Sequence, residues 1–132
     1  MTRNVVFPEA LAQAVAASGF SPAVRAGDLL FLTGATGSDA KGVMPEGIEA
    51  QTRNALTKAI TILEAADATA QSVVEATSFH IGLQTHFDQV DTILREILGV
   101  PLPAWTAVEV AGLRRPGALI ELRLVAHVPA TA

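Results

Sequence analysis

The last third of the chain contains one carboxylate whose setting favours chemistry. Glu121 interrupts the apolar run of residues 119–128. A carboxylate in a mostly apolar pocket can have its pKa raised toward neutrality, and it can then act as a general base that positions a water molecule. The alternative is a structural ion pair with Arg114, Arg115 or Arg123. Sequence position alone leaves both interpretations open.

An aromatic side chain, Trp105, also lies in the last third of the chain. It follows shortly after the stiff connector that residues 100–103 form. An indole ring can form a stacking wall for a planar, unsaturated or aromatic ligand. It can equally anchor a subunit interface by filling a cavity there. Both interpretations remain open on the sequence.

Metal and nucleophile chemistry has little support in the sequence. The three histidines, His80, His86 and His127, come from different predicted elements and lack the spacing of metal ligands. No Ser-His-Asp arrangement follows from residue order. The chain has no cysteine, which excludes disulfides, thiolate catalysis and cysteine zinc sites. We therefore expect no metal ion and no cofactor.

Composition limits the class of protein. A chain of 132 residues fits a single domain, residues 1–132. Half of the residues are hydrophobic, yet no apolar run reaches the roughly 18 residues that a membrane span needs. The first ten residues do not resemble a signal peptide, so we expect a soluble, cytoplasmic protein with no membrane partner. The net charge of −4 and the lack of a basic cluster argue against nucleic acid.

The hydrophobic pattern predicts the secondary structure. In chain order we expect a short strand and helix within 3–18, a hairpin of 23–26 and 29–33, a helix over 46–66, a strand over 72–81, a helix over 86–98, and two strands over 105–113 and 118–128 joined by a turn at 114–117. The helix over 46–66 is predicted to expose Arg53, Lys58 and Glu64 to solvent.

The last strand predicts how the layers pack. Alternation puts five apolar residues on one face, namely Ile120, Leu122, Leu124, Ala126 and Val128. The opposite face is mixed, with Leu119, Glu121, Arg123, Val125 and His127. The apolar face must pack on the helices, which predicts an α+β sandwich. The mixed face suits a subunit interface that contains a pocket, and this interface would also bury the hydrophobic excess.

Several blocks in order resemble the Rid proteins (RidA or YjgF, in older usage endoribonuclease L-PSP). The blocks are FSPAVRAGDLLFLTG at 20–34, GIEAQTRNAL at 47–56, VVEATSFH at 73–80, FDQVDTILREILG at 87–99 and PAWTAVEVAGLRRPGALIELRLVA at 103–126. Residues 1–19 form a divergent lead-in. The resemblance implies a chorismate-mutase-like fold with a mixed sheet and two helices on one face. It also implies a homotrimer with pockets between subunits.

The resemblance also implies site residues. RidA-type proteins hydrolyse enamines and imines such as 2-aminoacrylate to 2-keto acids and ammonia, and an arginine in a P-A-R-[ST] motif holds the substrate carboxylate. Here that motif reads Pro-Ala-Trp105-Thr106, and an indole cannot form a bidentate clamp on a carboxylate. The Trp-Thr pair and residues 77–80 are similar to the YjgH-type subgroup. The family glutamate near the reacting water corresponds to Glu121.

The resulting expectation is a hydrolytic deaminase or related hydrolase that acts on a small enamine, imine or aromatic amine-derived metabolite, but not an efficient 2-aminoacrylate deaminase. One alternative is a non-catalytic trimer that binds a small molecule, and a second is an endoribonuclease. The expected catalytic residue is Glu121, and the expected substrate-binding residues are Trp105, Thr106, Phe20 (a tyrosine in the family), Thr33, Gly34 and Asp91 (often asparagine in the family).

Overall fold

The computed structural model describes residues 2–129. This part of the chain contains seven strands, β1 (Asn4–Val6), β2 (Ala23–Ala26), β3 (Leu29–Leu32), β4 (Ala35–Thr36), β5 (Val73–His80), β6 (Ala104–Glu109) and β7 (Ile120–His127). Its three α-helices are α1 (Ala12–Ser18), α2 (Ile48–Ala65) and α3 (Leu83–Leu98). Single 3-10 turns precede α1 and β5, at Glu9–Leu11 and Ala70–Ser72.

The strands form one mixed sheet in the order β1-β2-β3-β7-β5-β6, with β4 also pairing with β7. Only β5 and β6 pair in parallel among the described strands. The predicted α+β class with a mixed sheet is therefore confirmed. The predicted hairpin of the last two strands is wrong, because β5 lies between β6 and β7. The α3 crossover returns the chain in the direction of β5, so β6 adds in parallel, and the loop 110–119 then crosses to the far side of β5.

The core lies between α2, α3 and one face of the sheet. Along β7, the predicted alternation is observed, since Ile120, Leu122, Leu124 and Ala126 are buried in one cluster with Leu56 and Leu94 of the helices. The lead-in helix α1 has no buried residue and adds little to this core. The opposite face of the sheet is not covered by α2 or α3, and it carries side chains such as Phe31 and Phe79.

Helix α3 begins three residues earlier than the sequence predicts. Residues 83–85, which lie between the predicted strand and the predicted helix, form the first turn of α3, with Gly82 as its N-cap in the left-handed region at φ 74°. The carboxylate of Glu109, at the end of β6, accepts hydrogen bonds from the backbone N–H groups of Gly82 at 3.0 Å and Leu83 at 2.7 Å. A remote carboxylate thus satisfies donors that the local sequence leaves unpaired.

One buried polar side chain joins α2 to the loop before β7. Gln51 is 1% exposed. Its Nε2 donates to the carbonyl oxygens of Pro45 at 2.8 Å and Gly117 at 3.0 Å, and its Oε1 accepts from the backbone N–H of Leu119 at 2.7 Å. Because buried polar groups are costly when unpaired, these bonds fix the loop 110–119 against α2.

Candidate functional site

A cavity of about 870 Å³ opens between α2, the strand end at residues 33–36 and the loop 110–119. Four of the predicted site residues line it together: Phe20, Thr33, Gly34 and Glu121. The remaining wall is largely apolar, with Leu11, Pro22, Ala35 and Ile62. A concave, mostly apolar site with a few polar groups is the usual form of a small-molecule pocket.

The carboxylate of Glu121 lies directly against the backbone of Gly34. A Cβ atom added at Gly34 would lie 2.6 Å from Oε2 of Glu121, and 3.0 Å from both Cδ and Cγ. This separation is shorter than carbon and oxygen atoms tolerate, so only glycine permits the observed position of the carboxylate. Register in the sheet supports it, since β4 and β5 place Thr36 and Phe79 opposite Glu121.

The ion-pair interpretation of Glu121 has no support within the described chain. Arg123 lies 3.8 Å from the carboxylate of Glu75 instead. In residues 2–129, no lysine or arginine nitrogen lies within 4.0 Å of the Glu121 carboxylate. Glu121 is half-buried at the cavity wall without a cation in direct contact.

The other three predicted site residues lie elsewhere in this chain. The indole of Trp105 stacks on Phe87 with ring centroids 5.1 Å apart, and its Nε1 donates to Ser78 Oγ at 2.8 Å. Thr106 is exposed on β6, and Asp91 forms an ion pair with Arg95 at 3.0 Å. The chain by itself does not bring these residues into the cavity that contains Glu121.

Three cations line the cavity and were not among the predicted site residues. They are Lys58 of α2 and the adjacent pair Arg114 and Arg115 in the loop 110–119. The prediction that Lys58 faces solvent is wrong, because its side chain is half-buried and its Nζ donates to Ser38 Oγ at 2.9 Å. Burial and the positive charge of Arg115 lower the pKa of Lys58, and the charge of Asp39 partly opposes this shift.

The sequence contained one pattern that could have indicated this cavity wall, a stripe of residues along helix α2. The residues that α2 contributes recur at helical spacing: Asn54, Thr57, Lys58, Thr61 and Ile62. This stripe of mixed polarity lies beside the apolar stripe that packs in the core. In sequence it resembles an ordinary solvated helix face, and only the neighbouring loop turns it into the side of a pocket.

Two buried histidines form a separate polar cluster behind Trp105. Ser78 Oγ accepts from Nε1 of Trp105 and forms a second hydrogen bond with Nε2 of His80 at 2.6 Å. The ring centroids of His80 and His86 lie 5.6 Å apart, and neither His80 Nδ1 nor His86 Nε2 has a hydrogen-bond partner in the described chain. Burial, and then the neighbouring His86, lower the pKa of His80 to about 4, against an opposing effect of Glu109. No group of three metal-binding side chains occurs within residues 2–129.

Comparison with known proteins identifies the family. The model of the family described as endoribonuclease L-PSP matches residues 11–128. The RutC family protein YjgH of Escherichia coli K12 is 34% identical over 128 residues, which cover 96% of each chain. The chain belongs to the Rid (endoribonuclease L-PSP) family. The predicted resemblance to this family, and to its YjgH-like members, is therefore confirmed.

Solved structures of Rid proteins share the fold. A structure of protein YjgH has a TM-score of 0.85 at 33% identity, covering 99% of this chain and all of that chain. A Mycobacterium tuberculosis member of the YjgF/YER057c/UK114 family has a TM-score of 0.79 at 31% identity, covering 96% of this chain and all of that one. In the described part of this Rid protein, no helix combines the length and apolarity that a membrane span requires.

The burial of His80 makes the stability of the fold depend on pH. Its pKa is about 4 when folded and 6.5 when exposed, so the unfolded chain binds more protons between these values. Stability is therefore fully present above pH 6.5 and falls as pH drops toward 4. We expect His80 to contribute a loss on the order of 2–3 kcal/mol over this interval.

Urea unfolding of wild type, His80→Gln and His127→Gln between pH 4.5 and 7.5 checks this prediction, with protein concentration held constant. His80→Gln should flatten the pH dependence, whereas His127→Gln should leave it unchanged because His127 is exposed. Equal pH slopes for wild type and His80→Gln would contradict the assignment.

Proposed function

We propose that this Rid protein hydrolyses the C=N bond of a small imine, or of an enamine after its conversion to the imine, in the cavity beside Glu121. The observation that carries this proposal is the Glu121 carboxylate, which lies against Gly34 in a mostly apolar wall with no cation in direct contact. Such a carboxylate is free to accept a proton from water, whereas one held in an ion pair would be a weaker base.

The proposed reaction requires one water molecule and one base. Glu121 accepts a proton from water as the water oxygen attacks the imine carbon. The proton then passes to the nitrogen and gives a carbinolamine. The carbinolamine hydroxyl next loses its proton, which Glu121 can carry to the nitrogen, as the C–N bond breaks, and the products are a carbonyl compound and ammonia or an amine. Groups at the Thr33-Gly34 strand end would bind polar atoms of the substrate. The hydroxyl of Thr33 donates to the carbonyl oxygen of Ser21, which holds this strand end in place.

A homotrimer would complete the site. The sheet face opposite the helices is left uncovered by α2 and α3, and it carries the exposed Leu29 and the partly exposed Phe31 and Phe79. Burial of this face between subunits would remove its apolar surface from water, which is energetically favourable. In that assembly Trp105, Thr106 and Asp91 of an adjacent subunit would face the cavity, with Trp105 as a stacking wall. Without the family arginine, 2-aminoacrylate should be a poor substrate.

A second candidate is a trimer that binds a small molecule without catalysis. The position of Trp105 favours it, because stacking on Phe87 and hydrogen bonding to Ser78 already commit this side chain within its own chain. A pocket that has lost its anion anchor at this position could still bind a ligand. Binding without turnover would distinguish this candidate from the hydrolase.

Substitution of Glu121 tests the catalytic proposal. Glu121→Gln keeps the shape of the side chain but removes the base, so turnover should fall by about 10²–10⁴. The assay follows ammonia release from aryl and cyclic imines and from 2-aminoacrylate generated in situ. Glu64→Gln, an exposed carboxylate of α2, is the matched control and should retain wild-type activity. If Glu121→Gln equals wild type on every substrate turned over, the proposed mechanism is wrong.

Oligomeric mass tests the proposed assembly. Sedimentation equilibrium should give about 41 kDa, three times the 13.7 kDa chain. Phe31→Glu would place a charge on the uncovered sheet face and should yield a smaller species, because burying an unpaired charge is costly. Ala50→Glu, on an exposed site of α2, should remain trimeric. A wild-type monomer, or a trimer of unchanged stability in Phe31→Glu, would refute this assembly.

A further inference from the structure

We propose that Lys58, Arg114 and Arg115 form an anion subsite in the cavity, and that the ligand of this protein is an amphipathic anion. Its anionic group, a carboxylate or a phosphate, would bind at these cations, and its aromatic or branched part would lie on the apolar wall. The inference extends the proposed function, since it names the substrate class of the same cavity. It assigns the anion to residues of the chain that also supplies Glu121.

The three cations are held by neutral partners. The guanidinium carbon of Arg114 lies 5.3 Å from the centre of the Phe20 ring. Arg115 Nη2 donates to the carbonyl oxygen of Gly42 at 2.9 Å, and Lys58 Nζ donates to Ser38 Oγ at 2.9 Å. Within the described residues, none of the three has a carboxylate oxygen within 4.0 Å. Their positive charge is therefore available to a ligand.

The carboxylates of the cavity offset only part of this charge. Among the described residues, two carboxylates, Asp39 and Glu121, line the cavity beside the three cations. Oδ1 of Asp39 accepts the backbone N–H groups of Lys41 at 2.8 Å and Val43 at 3.0 Å, so this carboxylate stabilises its own turn. Arg115 and Lys58 also repel one another, which contributes to the lowered pKa of Lys58. An anion bound between these cations would relieve that repulsion.

The apolar part of the cavity wall indicates the chemistry of the uncharged part of the ligand. Leu11, Phe20, Pro22 and Ile62 line the same cavity, and Arg114 lies over the Phe20 ring where the two regions meet. A ligand with its charge next to a ring or branched chain would contact both regions. The volume of about 870 Å³ exceeds the needs of a three-carbon acid and lies within the range of small-molecule sites.

The cation-bearing loop is held in place before any ligand binds. Gln51 bonds to Gly117 and Leu119, which follow Arg114 and Arg115 in the loop 110–119. Stacking of Arg114 on Phe20 restricts its guanidinium further. Preorganised cations bind an anion with a smaller loss of side-chain entropy than free ones. Trp105 cannot supply this charge, so the arginine pair is the natural source of an anion anchor.

Calorimetric titration of the full-length protein tests the subsite with three defined probes: benzoate, phenyl phosphate and the neutral isostere benzamide. Benzoate or phenyl phosphate should bind at least about tenfold more tightly than benzamide, and the tighter of the two distinguishes a carboxylate from a phosphate ligand. Arg114→Gln should weaken anion binding by about tenfold or more while leaving benzamide unchanged. Arg53→Gln, an exposed arginine of α2 paired with Glu96, is the control and should bind as wild type.

Two outcomes would overturn the proposal. One is that benzamide binds as tightly as the anions, or that neither anion binds wild type below about 10 mM. The other is that Arg114→Gln and Lys58→Met both bind the anions as wild type does. Titration of Glu121→Gln separates this test from that of the proposed function. Anion binding retained in Glu121→Gln with no turnover in wild type would refute the hydrolase alone, whereas turnover with no anion preference would refute the subsite alone.

Discussion

The position of the Glu121 carboxylate depends on the absence of a side chain at Gly34. The two residues lie on adjacent segments of one sheet, and a single added carbon would come within 2.6 Å of the carboxylate oxygen. The strand end at Gly34 and the start of β7 therefore have to be in register for the carboxylate to face the cavity. The pairing of β4 with β7 brings Gly34 close to Glu121, and this close approach sets the position of the proposed water-handling group.

A second constraint, the hydrogen bonds of Gln51, positions the part of the cavity wall that α2 and the loop 110–119 form. Gln51 of α2 bonds to the carbonyl oxygens of Pro45 and Gly117 and to the N–H of Leu119, so the helix and the loop before β7 are held at a fixed separation. That loop carries Arg114 and Arg115, and α2 carries Lys58. A buried amide that satisfies three backbone groups thereby determines where the positive charge of the cavity lies relative to Glu121.

Local patterns in the sequence were sufficient for the class of fold. Alternation in β7 and the apolar stripe of α2 predicted the α+β layers, and the blocks similar to Rid proteins predicted the family. These local patterns could not predict features that depend on contacts between residues distant in the chain. The placement of β5 between β6 and β7 depends on a crossover, and the start of α3 depends on Glu109, 26 residues beyond Leu83. Lys58 was assigned to solvent for the same reason, since its environment is built by residues distant in the chain.

The measurement that tests the account most directly is imine hydrolysis by Gly34→Ala, compared with Gly112→Ala. A Cβ at Gly112 meets no atom within 4 Å, so this substitution controls for the loss of a glycine. Because the Gly34 substitution must displace the carboxylate, kcat/KM should fall by at least about tenfold, whereas Gly112→Ala should stay within about twofold of wild type. Wild-type turnover in a folded Gly34→Ala protein would contradict the claim that this contact positions the catalytic group.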